Sequence, residues 1–377
     1  VGGSFGTVTS GERETGVSNA VAFDTADCSL RADFRPGVAA TVRAIEPSGD
    51  TVYLGGDFGE VDGETRDRIA AVTTSGTLLP FRASIDEPVR AIEAAPEFGK
   101  VLVGGDFFTV NRRRSHALVS LDATSGATQQ NFSWLESSSV VKDLARDGQN
   151  FYLAAEGTGG FDGRIAGVLA TGQRKWTDTC LGATQAVVPY EGVLYSGSHA
   201  HDCGGTPGGF PEINARQHLL GQSLSDRTIL PWFPDTNGGI GEKVGPRVLV
   251  MAGDILWVGG EFTAVNDKPQ QALTRMPASP DTVAPQVPAF SGTSTSSGRI
   301  TLSWKAAWDR DDGTLTYRVY RDGAYYTSLT RDSRFWDRPD MTWTDTVEPG
   351  STHRYALEVT DGENLSGRNG PVYVTAR

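Results

Sequence analysis

Three residues within one short stretch of the sequence have the types and spacing of a metal or ligand site. The stretch His199-Ala200-His201-Asp202 alternates two imidazoles and ends on a carboxylate. On an extended strand both imidazoles lie on one side, as zinc ligands require. No further histidine cluster accompanies them, so we expect a contact to an organic ligand rather than a bound metal. The predicted ligand-contact residues in this region are His199, His201, Asp202, Phe210, Asn237, Glu242 and Lys243.

A second group of oxygen donors lies near the C-terminus, in the stretch "WDRDDGTLTY" from Trp308 to Tyr317. Asp309, Asp311 and Asp312 are the hard oxygen donors that calcium prefers. A solvated loop between two strands explains the same residues, and three carboxylates provide too few oxygens for a calcium cage. We therefore expect no cofactor, with calcium as the alternative.

Carboxylates also follow glycine pairs, and this pattern identifies the element that positions them. Glycine pairs occur at Gly2/Gly3, Gly55/Gly56, Gly104/Gly105 and Gly259/Gly260, with degenerate copies at Ala154/Ala155 and Ser196/Gly197. The copies are about 50 residues apart, a spacing typical of repeat architectures. We number them repeat one to repeat six in chain order. Each repeat contains four short apolar runs, which we name strands A to D, although repeat one lacks strand A.

Four strands in a repeat of this length are typical of a β-propeller blade. The sequence therefore predicts an all-β fold with a six-bladed β-propeller over residues 1–277, whose first blade lacks its innermost strand. Strand A carries a base and the residue after the glycine pair is an acid, at positions opposite each other across the A–B turn. The predicted ion pairs are Arg43–Asp57, Arg90–Asp106, Lys142–Glu156 and Arg247–Glu261, and repeat five has the neutral pair Gln185–Ser198.

The ion pairs have two interpretations. A pair present in most units fixes strand register, which is what a scaffold requires; alternatively, the charges form a ring that lines a central channel. We favour the structural interpretation, and extend it to His116 and His218, which occupy one position of the repeat. Acids held ionised by a base are also poorly suited to act as a general acid.

The cysteines indicate the cellular compartment. Cys180 and Cys203 lie opposite each other about the Glu191-Gly192 turn, which predicts a disulfide and hence an oxidising environment, secreted or at the cell surface. Cys28 falls in a C–D turn and is either a free thiol or the partner of a chain outside this sequence. The chain begins at Val1 without a methionine, which we interpret as a processed or trimmed piece.

Two insertions interrupt the repeats, His199–Asn214 between strands B and C of repeat five, and Asp235–Lys243 before strand A of repeat six. B–C and D–A connections emerge on one face of a blade, so we expect the insertions side by side. The B–C segments "NRRRSH" of repeat three and "EGTGGFDGR" of repeat four open on the same face. Loops that depart from a repeat are where function is usually found.

A Pro-rich linker follows the repeats at residues 278–288, and alternating apolar runs over residues 289–377 predict a seven-stranded sandwich. With Trp304 on an early strand and Tyr355 on a late one, this segment resembles a fibronectin type III domain. The repeat "YLGGDFGEVDGETRDRIAAVTTSGTLLPF" resembles uncharacterised bacterial propeller repeats of the delta-sixty type, and more distantly the propeller of fungal cortical-marker proteins. The resemblance implies a secreted, actinobacterial-type protein and brings no catalytic residues.

The net charge and the length of the apolar runs argue against two classes of function, nucleic-acid binding and membrane insertion. The net charge of −12 argues against nucleic-acid binding, and no apolar run approaches the roughly 20 residues that would insert into a membrane. We expect an extracellular, non-catalytic binding or adhesion protein whose loop face recognises a glycan or surface partner, with the sandwich as spacer. Phe161 and Phe210 would stack on sugar rings. The alternatives are a carbohydrate-active hydrolase or lyase, and a self-assembling structural subunit.

Overall fold

The computed structural model describes residues 1–10, 13–135, 138–157, 161–178, 180–277, 281 and 283–377. These residues form β-strands joined by turns, with a short 3-10 helix at Pro96–Phe98, and the predicted all-β class is confirmed. Residues 158–160 of the repeat-four loop and residues 278–280 and 282 of the linker lie outside the described residues. Within the described part, no helix has the length and hydropathy needed to span a membrane.

The chain divides into two compact units. The first unit comprises Val1–Thr228, Thr236–Met251 and Val258–Thr274, and the second comprises Ile229–Asp235, Ala252–Trp257 and Arg275–Arg377. Their boundaries differ from the predicted limits 1–277 and 289–377, because two short segments from within the repeats group with the second unit. A closed six-bladed arrangement stays a prediction.

Repeats two to five each form one antiparallel sheet whose strands follow the chain order. The strands are Val42–Ser48, Thr51–Gly56 and Ile69–Thr73 in repeat two; Val89–Ala95, Lys100–Gly105, Leu118–Asp122 and Thr128–Asn131 in repeat three; Ser139–Asp147, Asn150–Gly157, Gly163–Val168 and Arg174–Asp178 in repeat four; and Thr184–Tyr190, Val193–Ala200 and Gln217–Ser223 in repeat five. Repeat six contributes Pro246–Ala252, Ile255–Gly260 and Leu273–Pro277. Among the residues that the structure describes, strand D is regular only in repeats three and four; in repeat two it is reduced to the bridge between Val72 and Leu78.

Small hairpins project from the B–C connections. Their strands are Thr7–Ser10 with Arg13–Gly16, Glu60–Val61 with Glu64–Thr65, Thr109–Val110 with Arg113–Arg114, and Ala264–Val265 with Lys268–Pro269. The two-residue turns Asp62-Gly63 and Asn111-Arg112 have positive φ at both positions. This is the type I′ geometry that matches strand twist. The sequence pattern alone predicts simple loops for these segments.

The glycine pair is explained by two close approaches. A Cβ on the first glycine would lie 2.6, 2.4 and 2.4 Å from the valine of the next repeat's strand A, for Gly2 with Val42, Gly55 with Val89 and Gly104 with Val141. A Cβ on the second glycine would lie 2.2 Å from a carbonyl oxygen of its own repeat, that of Pro88 for Gly105 and that of Gly245 for Gly260. Only glycine leaves space for both contacts.

The hydrophobic core lies between successive sheets. Tyr53 and Ile69 of repeat two pack with Val89 and Phe107 of repeat three, and a second cluster joins repeats three and four. Strand A of repeat two packs on strand A of repeat three, three on four, and four on five. The A strands of repeats two to five are therefore neighbours in the order of the sequence. The loops that connect the strands lie at the ends of the sheets.

From Phe290 onward, the described residues of the second unit form seven strands in two sheets. One sheet has the order Phe290–Ser296, Arg299–Lys305, Asp340–Thr346, and the other has the order Ala324–Asp332, Thr314–Arg321, Thr352–Thr360, Asn369–Thr375. Trp304 of the first sheet and Tyr355 of the second are buried in one shared core, and the Tyr355 hydroxyl donates to Asp345 Oδ2 at 2.7 Å. The strand count agrees with the predicted sandwich; membership of the fibronectin type III family stays a prediction.

Candidate functional site

The base of strand A contacts the acid after the glycine pair in four repeats. Arg43 Nε lies 2.6 Å from Asp57 Oδ1, Arg90 Nη2 lies 2.6 Å from Asp106 Oδ2, and Lys142 Nζ lies 3.2 Å from Glu156 Oε2; Arg247 contacts Glu261. In repeats two, three and four the base is the extra residue of a β-bulge, where the register shifts by one position. A bulge re-aims the side chain, and here it directs the base towards the acid.

The charges of neighbouring repeats also act on one another. Hydrogen bonding to Asp106 raises the pKa of Arg90, and the carboxylates of Glu156 and Asp57 from the two adjacent repeats add to this effect. The same residues therefore form the ion pairs that fix strand register and the charged ring of the alternative interpretation. The acid of each pair already contacts the base of its own repeat.

Repeat five departs from its predicted neutral pair. Gln185 Nε2 donates to Glu156 Oε2 of repeat four at 2.7 Å, while the Ser198 hydroxyl donates to the Gln217 carbonyl at 3.3 Å. The pairing of Gln185 with Ser198 is therefore wrong. Gln185 is the bulged residue of its strand, and its long side chain reaches the neighbouring repeat.

The loop after strand B of repeat five is anchored from inside. Cys180 and Cys203 form a buried disulfide with a Cα–Cα distance of 4.1 Å, whereas Cys28 is free and exposed. Beside the disulfide, the buried carboxylate of Asp178 accepts hydrogen bonds from Arg164 Nη2 and Gln222 Nε2, both at 2.6 Å, and from Thr206. Sequence reasoning missed this network because its members come from three separate strands and a loop.

The three polar residues that open this loop have different surroundings. His201 Nδ1 lies 2.8 Å from Glu212 Oε2, and Asp202 Oδ1 accepts a hydrogen bond from the Gly204 amide. Burial lowers the pKa of His199. The metal-binding clusters found among the described residues contain none of these side chains.

Both phenylalanines proposed as sugar platforms are buried. Phe161 has 8% and Phe210 has 0% of its surface exposed, and Phe161 belongs to the core between repeats three and four. The prediction of exposed rings at these positions is wrong. The glycine-rich sequence around each phenylalanine predicts a surface loop. Each ring is instead buried and anchors its segment to the core.

The second insertion contacts the acid of repeat six. Asn237 is part of the repeat rather than of the insertion, since its Oδ1 accepts from the Thr263 and Ala264 amides as Asp86 Oδ1 accepts from the Phe108 and Thr109 amides. Glu242 Oε2 lies 2.7 Å from Arg247 Nη2, and the Lys243 amide donates to Glu261 Oε2 at 2.8 Å. These contacts close the loop over Glu261. The placement of the two insertions beside each other stays a prediction.

A groove on repeat three offers unsatisfied polar groups. It has a volume of about 300 Å³ and is lined by Arg114, Ser115, His116, Asn131, Phe132, Ser133 and Leu135. We call it the His116 groove. Both ring nitrogens of His116 are buried and lack a hydrogen-bond partner among the described residues. Phe108, which is 53% exposed, lies against the His116 ring with a centroid distance of 5.2 Å.

The His116 groove was not predicted, although one sequence signal points to it. Repeats two, three and six carry a buried phenylalanine two positions after the glycine pair, and only repeat three adds a second one, Phe108. His116 was interpreted as structural because of its repeat position. A structural role alone does not explain why its two buried ring nitrogens lack hydrogen-bond partners among the described residues, and such buried polar atoms need an explanation.

Comparison with known proteins gives limited similarity. No protein-family model matches the chain. An alpha-amylase from Niallia circulans is 31% identical over 140 residues, which are 35% of this chain and 10% of that protein, so the chain spans about a tenth of its length.

Solved structures are similar at low identity. A structure titled as the mitotic checkpoint complex is 14% identical, with a TM-score of 0.45 over 68% of this chain and 69% of that one. An exo-beta-1,3-galactanase from Phanerochaete chrysosporium is 11% identical, with a TM-score of 0.32 over 93% and 98%. At these values neither similarity says what this chain does.

Proposed function

We propose that the protein is an extracellular, non-catalytic binding protein whose repeat loops recognise a glycan, with the His116 groove as the contact. The observation that carries this proposal is the pair formed by Phe108 and His116: an exposed ring beside a recess in which two imidazole nitrogens lack partners. A ligand site combines an apolar surface with a few placed polar groups, and this groove has both.

The groove suits a neutral polar ring. The exposed face of Phe108 can stack on the C–H face of a sugar. The His116 ring lines the recess, and its buried nitrogens would reach a ligand only after the ring rotates. The Ser115 hydroxyl, which donates to Asn131 Oδ1 at 2.8 Å, fixes the orientation of the Asn131 side-chain amide. Arg114 at the rim adds further donors. The second unit remains the proposed spacer.

Two further observations support an extracellular glycan ligand. The buried disulfide is typical of an oxidising compartment. The partial similarity to a protein named an alpha-amylase supports carbohydrate as the ligand class. His201 and Glu212 form a polar pair on another loop of the repeats and are candidates for an additional contact.

A glycan array with the full chain, followed by titration of a hit, tests the proposal. Phe108→Ala should weaken binding by about tenfold or more, as expected for the loss of a stacking platform, and His116→Ala should do the same. Tyr373→Ala, which removes an exposed ring from the second unit, is the control. Equal affinity of Phe108→Ala and the parent, with a specific hit present, would refute this site. For the loop His199–Asn214 of repeat five, point variants are preferable to deletion, because Cys203 and Phe210 within it are buried.

Hydrolysis is the second candidate, favoured by Asp162. Burial raises the pKa of Asp162, and the nearby charge of Glu156 raises it further, as a general acid beside a carboxylate requires. Reducing-sugar release from a polysaccharide, abolished by Asp162→Asn, would establish this function. The binding proposal is favoured because Glu156 already contacts Lys142 and Gln185.

An assembly role would use repeat six. Val248 and Leu273 are about half exposed, whereas Ile69 and Leu118, which correspond to Leu273, are fully buried against the next repeat. In repeats one to three a strand A with a valine covers this face, so the expected occupant is an extended segment of the pattern Val-Arg-Ala-Ile. A peptide with the sequence of residues 41–48 should bind the parent and not a Gly259→Val variant.

A further inference from the structure

Five aspartates converge at one end of the second unit. Asp309, Asp311 and Asp312 lie in the loop between strands Arg299–Lys305 and Thr314–Arg321, Asp361 follows strand Thr352–Thr360, and Asp281 precedes the first strand. Carboxylate oxygens of Asp309, Asp311 and Asp312 all lie within 4.8 Å of one another, and so do those of Asp281, Asp312 and Asp361. Asp312 belongs to both sets, so the five residues form one group, which we call the Asp309 cluster.

The backbone anchors one oxygen of a carboxylate and leaves the other free. Asp361 Oδ1 accepts from the amides of Glu363 and Asn364 at 2.7 and 2.6 Å, and Asp309 Oδ1 accepts from the Asp311 amide at 3.2 Å. Asp361 Oδ2, Asp309 Oδ2 and Asp311 Oδ1 are buried and have no hydrogen-bond partner among the described residues.

Burial distinguishes this cluster from an ordinary acidic surface. Asp309 is only 5% exposed, so its bare oxygen cannot be satisfied by bulk solvent. A buried, unpaired carboxylate is expensive, and several at one place are more so. A cation at the centre of the group would neutralise these carboxylates.

We propose that the Asp309 cluster is a calcium site. The donors are carboxylate oxygens from three segments, without nitrogen or sulfur, which favours a hard cation over zinc. Ligand oxygens within 4.8 Å of one another fit around a cation whose bonds are about 2.3–2.6 Å. Magnesium demands a smaller, octahedral shell that keeps several waters, which suits a buried carboxylate group less well.

Calcium would join segments that are distant in sequence. Asp281 is already held by Asn364 Nδ2, which donates to its Oδ2 at 2.6 Å. A bound ion would add bonds from the Asp309 loop and Asp361 to the same point. Asp281 would then be fixed to the sandwich by the ion as well as by Asn364.

Calcium titration of the EDTA-treated full chain tests the proposal, with binding followed by calorimetry and stability by thermal unfolding. We expect saturable binding of one ion per chain and a rise of roughly 5 °C or more in the Tm of the second unit. Magnesium at the same concentration should give a smaller rise. No binding, or no change in Tm at millimolar calcium, would overturn the proposal.

Two variants separate loss of the site from loss of the fold. Asp309→Asn and Asp361→Asn should weaken calcium binding by at least tenfold, while in EDTA their Tm should equal or exceed that of the parent, because one charge of a repelling group is removed. Asp340→Asn is the matched control, since Asp340 is highly exposed on a strand of the same unit. A variant less stable than the parent in EDTA would show a purely structural role instead.

Discussion

Replacing Gly104 by alanine tests the contact between successive repeats. The new methyl would lie 2.4 Å from Val141 Cγ1 and 2.9 Å from Val141 Cβ, well inside the 3.5–4.0 Å at which carbon atoms attract. Val141 is fully buried and β-branched, so neither its position nor its rotamer can adapt. Overpacking of this kind lowers the free energy of unfolding by about 1–3 kcal/mol.

The valine provides the internal check. In a Val141→Ala background the contact with Cγ1 at 2.4 Å is absent and the contact with the Cβ of residue 141 at 2.9 Å remains, so Gly104→Ala should cost less there than in the parent. The double-mutant cycle should therefore give a coupling of at least about 1 kcal/mol. Gly59→Ala is the control outside the contact, since a Cβ there would meet nothing within 4 Å.

Urea unfolding followed by tryptophan fluorescence measures all four members of the cycle and the control. The expected order of midpoints places Gly104→Ala below the parent and Gly59→Ala close to it. If Gly104→Ala is as stable as the parent, or costs the same with and without the valine methyls, the steric explanation of the glycine pair is wrong.

Three further outcomes are expected. Burial raises the pKa of Glu93 to about 8, and the charge of Glu46 adds to this effect. The folded chain therefore retains a proton that the unfolded chain releases, and the free energy of unfolding should fall as the pH rises from about 4.5 to 8. The urea midpoint of Glu93→Gln should depend less on pH than that of the parent. Replacing both Cys180 and Cys203 by serine should lower the free energy of unfolding by about 3 kcal/mol, measured under non-reducing conditions against the parent. Asp178→Asn should cost about 3–5 kcal/mol in the same assay, because it leaves the guanidinium of the fully buried Arg164 without its counter-charge.

Repeat symmetry explains why so much of the scaffold could be predicted. The disulfide and the four ion pairs follow from counting residues across a hairpin turn, since antiparallel pairing relates positions whose numbers have a constant sum. The same rule failed in repeat five because Gly197 and Ser198 take the paired positions that Gly55 and Gly56 take in repeat two. The residue after the pair is therefore His199 rather than Ser198, and Gln185 bonds to Glu156 of the neighbouring repeat.

The candidate sites could be predicted less well, because they depend on packing between distant segments. The glycine-rich neighbours of Phe210 predict an exposed loop residue. A glycine-rich loop can still bury one ring when a disulfide at Cys203 and the contact of Thr206 with Asp178 anchor it. The Asp309 loop was visible in the sequence as three carboxylates. The contribution of Asp281 and Asp361 depends on the fold, which brings together residues far apart along the chain.

The glycine pair also has a consequence for the history of the molecule. One half of the motif receives the valine of the following unit, and the other half fits the carbonyl of its own unit. A duplicated repeat therefore carries both the glycine that receives a valine and the strand-A valine that fits it, and it can pack on its copy without a compensating mutation. Tandem gene duplication would preserve this contact, whereas insertions between the two residues would be tolerated only at the ends of loops.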